Sequence, residues 1–161
     1  MFKPLAAVLA AATLSMPVSA TVDPGTMELL TTLQEYGVTV RYNHPDCSQG
    51  FQGQYTTAKV MTLCYQGAPG AGDHDTVRHE AAHFLQHCAA IKRNERGITP
   101  LAANHTRRTE WIQTVLDAGH IHSIKEHYDP SHHQVELEAF AMAHHYTASQ
   151  ITSYIKVWCD K

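Results

Sequence analysis

The stretch His79-Glu80-Ala81-Ala82-His83 constrains this chain more than any other. An HExxH pentad brings its residues together only on a helix. At 3.6 residues per turn, His79 and His83 stand one above the other on one face, and their imidazoles can converge on one metal ion. Glu80 is rotated by about 100° from His79 and about 60° from His83. Its carboxylate can therefore border the metal without binding it, where it could take a proton from a water that the metal activates.

The flanking residues agree with a helix. Residues 77–91 contain no Gly or Pro and are rich in Ala, Leu, Gln and His. Asp73, Asp75 and Thr76 offer N-caps just before them. This context matters because 13 histidines in 161 residues make the pentad less telling alone. The bland alternative is a histidine-rich solvated helix that holds no metal.

Residues 1–20 read as a signal peptide. Lys3 supplies the positive start, residues 5–14 the apolar run, and Val18-Ser19-Ala20 a small-x-small cleavage site. The chain is then exported, periplasmic or extracellular, after cleavage near Ala20. Residues 21–161 suit one domain with one core. A formal net charge of −3 offers no basic field for nucleic acid and no polybasic patch to anchor the chain at a membrane. Four cysteines in an exported chain suggest two disulfides, for which three connectivities exist. Cys47–Cys64 is favoured because both bracket one β-loop-β segment. Cys88–Cys159 would then tie the pentad helix to the last helix.

Apolar spacing gives the order helix, short sheet, then mostly helix. Residues 26–36 form a first helix with Leu29, Leu30, Leu33 and Tyr36 on one side, ended by Gly37. Residues 38–42 and 59–65 alternate as strands, with a loop over 43–54 between them and another over 66–72. Further helices are expected to include 111–118, ended by Gly119, and to span 132–146 and 149–159. In the last, Ile151, Ile155 and Trp158 recur at helical spacing and read as core.

A catalytic zinc takes three protein ligands and a water. Extension of the pentad to HExxHxxGxxH fails, because Gln86 and Ala89 stand where Gly and His are needed. His87 stands about 12 Å along the helix from His79 and cannot share its metal. The remaining candidates are Glu136 and Glu138. Around Glu138, the positions three and four residues away are Gln134, Val135, Ala141 and Met142. Glu136 follows His132 and His133. Glu138 is therefore expected to face inward, where a buried carboxylate needs a cation, and is the preferred third ligand.

An HExxH helix followed by a Glu-Ala-containing helix resembles the gluzincin branch of the zincin metallopeptidases, the thermolysin-like enzymes. The resemblance implies an α+β fold, a minimal zincin-like domain that is mostly helical, with a small β-sheet preceding the pentad helix. It implies Zn2+ held by His79, His83 and Glu138, with Glu80 as general base in the hydrolysis of a peptide or protein substrate. The spacing from His83 to Glu138 is longer than in thermolysin, and the Asp that follows the Glu there is absent here. By the same resemblance, the substrate adds as a strand to a sheet edge, for which 59–65 is the candidate. Tyr146, His144, His145, His127 and Tyr128 are candidate donors to the oxyanion. The alternative is a secreted, non-catalytic zinc-binding or interaction protein. The excess histidines (His120, His122, His127, His132, His133, His144, His145) fit metal capture, but a pure binder has no need of Glu80. A third possibility is a disulfide-stapled structural module in which the pentad is coincidental.

Overall fold

The first helix forms because Leu29, Leu30 and Leu33 share one face, which is buried. A computed structural model describes residues 24–65 and 71–160, without the side chains of 71–73. The expected signal peptide lies outside the described residues. The architecture is α+β, as expected. Helix α1 (Pro24–Glu35) leads into strand β1 (Thr39–Tyr42), a short 3-10 turn at Pro45–Gln49, and strands β2 (Gly53–Thr56) and β3 (Val60–Leu63). Five helices follow: α2 (Ala71–Lys92), α3 (His105–Val115), α4 (Ala118–His127), α5 (His133–His145) and α6 (Ala148–Trp158). Gly37 ends the α1 region at φ +83°, a conformation that a Cβ would disfavour. No described helix is long and apolar enough to cross a membrane.

The strand order is β1-β3-β2, with β1 parallel and β2 antiparallel to β3. This corrects two expectations. Residues 53 and 54, expected in the loop, instead begin β2, which pairs Tyr55 with Met61 and Thr56 with Val60. A four-residue strand beginning with Gly carries almost no pattern of its own; its partner defines it. Residues 59–65, expected at an edge, instead supply the central strand, and Lys59 sits in the turn before it at φ 57°. Among the described residues, the free edge beside the pentad helix belongs to β2.

Helix α2 is the hub. It packs against α1, α5 and α6, and against β2 and β3. It begins at residue 71, inside the expected loop, so Asp75 and Thr76 are helical rather than caps. Asp75 instead pairs with Arg78 one turn on. Gly119 stops nothing. The preceding helix already ends at Val115, and Asp117 caps a new one by accepting from the His120 N–H.

The main core joins Leu29, Leu33, Met61, Leu63, Phe84, Leu85, Ile151 and Ile155. A smaller cluster of Ile112, Leu116, Ile124, Leu137 and Ala141 holds α3 and α4 onto α5. Ile151 and Ile155 are buried as expected, but Trp158 is 49% exposed. Both favoured disulfides are present. Cys47–Cys64 has its Cα atoms 5.6 Å apart, and Cys88–Cys159, joining α2 to the end of α6, has them 5.3 Å apart. Two bridges suit an oxidising compartment.

Candidate metal centre

Helix α2 carries His79 and His83 one turn apart, with their Nε2 atoms 3.1 Å from each other. The third member of the cluster comes from α5. Glu136 Oε2 lies 3.3 Å from His79 Nε2 and 3.5 Å from His83 Nε2. These three residues could hold a metal ion, and no other such group occurs among the described residues. Tetrahedral coordination with bonds of about 2.0–2.1 Å places ligand atoms about 3.3 Å apart. The observed triangle has that size.

The polar atoms of the site make the same point. Four buried side-chain oxygens or nitrogens lack a hydrogen-bond partner among the described residues, and two of them are carboxylate oxygens of this site, Glu80 Oε2 and Glu136 Oε2. Buried polar atoms are nearly always satisfied, so such a concentration fits a ligand bound between them. Burial would raise the Glu136 pKa, yet the two imidazoles beside it hold it down to about 2. Burial would lower that of His83, but the contact with Glu136, the charges of Glu80 and Glu136 and the bond to Gln86 together raise it. The arrangement is one anion facing two nitrogen donors.

Glu138 does not belong to this cluster, which corrects the expected third ligand. It is 2% exposed, but its needs are met without a cation. Its Oε2 accepts from Gln86 Nε2 at 2.9 Å and from the Leu101 N–H at 2.6 Å, and its Oε1 accepts from the Ala102 N–H at 3.1 Å. Three N–H donors stabilise the buried charge. Glu136 and Phe140, one turn apart, form the face of α5 that meets His79, whose ring packs 4.2 Å from that of Phe140. His132, one turn before Glu136, lines the cleft in front of the cluster. Polar neighbours around an acid thus marked the lip of an open site.

Glu138 still acts on the cluster through Gln86, which sequence reasoning passed over. Gln86 is completely buried. Its Nε2 donates to Val135 O at 3.0 Å and to Glu138, so its Oε1 must accept from His83 Nδ1–H, at 2.8 Å. With that proton on Nδ1, Nε2 of neutral His83 presents a lone pair to the metal position. His87 does not approach the cluster. Its Nδ1 accepts from the Tyr55 hydroxyl at 2.8 Å, tying α2 to β2. Burial and then the Lys59 charge lower its pKa, which favours the neutral acceptor.

Glu80 lies against β2. A Cβ on Gly53 would fall 2.5 Å from Thr76 Cγ2 and 2.8 Å from Glu80 Oε1, so only Gly lets the helix approach this closely. Burial raises the Glu80 pKa; the charges of His79 and His83 oppose this, that of Glu136 adds to it, and the Tyr55 N–H donates to the carboxylate. A cleft of about 470 Å³ opens on the cluster, walled by Gly53, Gln54 and Tyr55 on one side and by Tyr128 and His132 on the other.

Of the five candidate oxyanion donors, only Tyr128 lines this cleft. His144 stands farther along an adjoining pocket, opposite His120. His127 donates to the Ser123 carbonyl, and Tyr146 and His145 pack around Trp111. No family model matches this chain, and no curated protein or solved structure matches it.

Proposed function

We propose that the protein is a zinc-dependent metallopeptidase, with His79, His83 and Glu136 as ligands and Glu80 as general base. The observation that carries this reading is Glu80 itself. It is a buried carboxylate next in sequence to one ligand, with one oxygen unpartnered, at the wall of the same open cleft. Burying it costs free energy that a protein which only stores metal has no reason to spend. A His-His-Glu set with one side open to a cleft suits zinc. When bound there, the metal polarises a carbonyl and lowers the pKa of a water to about 7.

The chain's own residues supply the rest. The upward shift of the Glu80 pKa makes it a better proton acceptor near neutral pH. The Tyr55 N–H and the wall at Gly53 hold its carboxylate in place. Gln86 keeps His83 in the tautomer that binds metal. Burial, then the charges of Glu136 and Glu80, push the Tyr128 pKa to about 12, so its hydroxyl stays protonated and can donate to an oxyanion in the cleft. An extended peptide would lie along the free edge of β2, bonded to its backbone.

Metal analysis together with hydrolysis of a broad peptide library tests this reading. Wild type and Glu80→Gln should each carry one zinc per chain, and the variant should be slower by roughly 10²–10⁴. His83→Ala should lose both metal and activity. A Glu80→Gln protein as fast as wild type would overturn the mechanism. Wild type that held zinc firmly and cleaved nothing would leave a non-catalytic zinc-binding protein.

A further inference from the structure

A second pocket lies across α5 from the cleft, lined by Glu138 where the cleft is lined by Glu136. Its volume, about 490 Å³, falls within the range of about 300–1,000 Å³ typical of small-molecule sites. Trp111, Tyr146, Tyr154 and Trp158 form its walls, over a floor that includes Leu85 and Met142. These are the only two tryptophans in the chain. Trp111 stacks on Tyr146 at 6.2 Å, and Tyr146 meets Tyr154 edge-on at 5.1 Å, so the wall is braced ring against ring.

One end of the pocket is cationic, where α3 brings in Arg107 and Arg108. Arg108 is only 7% exposed, yet its guanidinium meets neutral acceptors: the Ala102 carbonyl, and Gln134 Oε1 at 3.1 Å from Nη2. No ion pair to it occurs among the described residues. The pocket's one acid, Glu138, already accepts from Gln86, Leu101 and Ala102. Arg108 thus has Glu138 as the one acid in the lining, closed in by its own N–H donors, and the two guanidiniums can give charge-assisted bonds to an anion entering at this end.

We infer that this pocket binds a small organic carboxylate with an aromatic or branched apolar body, its ring between Trp111 and Trp158 and its carboxylate toward Arg107 and Arg108. Aromatic walls could also hold an organic cation, but two arginines at one end repel it. None of the proposed metal ligands lines the pocket, so the inference stands apart from the peptidase reading.

Tryptophan emission of the full, disulfide-bonded protein reports on this pocket, because both indoles are in it. Titration with 3-phenylpropanoate should give a saturable change, with affinity about tenfold or more above that of 3-phenylpropanamide and 3-phenylpropylammonium, which match it in size. Ala102 is exposed and lines the pocket, and its N–H bond to Glu138 survives a change of side chain. Ala102→Phe should therefore abolish binding while the far-ultraviolet circular dichroism stays unchanged. Arg107→Gln, at an exposed position, should weaken binding by about threefold or more. The inference is overturned if the ammonium probe binds as well as the carboxylate. It is equally overturned if the carboxylate shows no saturation up to about 10 mM, weaker than a ligand of this size reaches in a fitting pocket.

Discussion

A carboxylate that binds a metal keeps one side toward an open cleft, whereas one that braces a loop is closed in by donors. The side chain of Glu136 retains 14% exposure at the cleft, and Glu138 retains almost none. Their substitutions should therefore separate two properties. Glu136→Gln should lose most of the metal affinity, measured by competition with a chelator. Glu138→Gln should keep one metal per chain but turn an amide N–H toward the donors of Gln86, Leu101 or Ala102. That mismatch should cost about 1–3 kcal/mol in urea unfolding. The reverse pattern would return the third ligand to Glu138. Neighbour polarity could not make this distinction, because both an open site and a solvated surface surround an acid with polar residues. The donors that satisfy Glu138 come from Gln86, 52 positions away, and from Leu101 and Ala102.

Between elements, the contacts of α2 with β2 and α6 set the shape of the site. The Tyr55–His87 bond joins α2 to the strand that walls the cleft. His87 is shifted below the value of about 6.5 that an unfolded imidazole has. Between the folded and unfolded values, the unfolded chain binds the extra proton. The contribution of His87 to stability is thus fully present above about pH 6.5 and is lost as pH falls through the lower, folded value. Urea midpoints measured from about pH 7.5 down to about pH 5 should fall more steeply for wild type than for His87→Gln. Parallel curves would show that burial of His87 carries no linkage. At the other end of α2, Cys88–Cys159 closes a separation of 71 residues. Replacing both cysteines by serine should cost about 2–5 kcal/mol in urea unfolding and leave metal stoichiometry unchanged. Loss of the metal would mean that the bridge positions the ligands as well as the helices.

Across the molecule, consecutive residues were enough for whatever is periodic or local. The pentad helix, the buried faces of α1 and α6, and the order of helix, sheet and helices can all be read within single segments, because helical period and capping are properties of neighbouring residues. The two cysteine pairs followed from an even cysteine count and from which segments they bracket. Tertiary structure alone decided the rest. It made a strand of residues 53–56 by pairing them with β3, left β2 rather than β3 at an edge of the described sheet, and brought Glu136 rather than Glu138 to the two histidines. It also left Trp158 of an otherwise buried stripe half-exposed at the wall of a second pocket. Each of these outcomes depends on what stands opposite a residue in space. A strand needs a partner, a buried charge needs donors, and a pocket needs facing walls, and in this fold those partners come from distant parts of the chain.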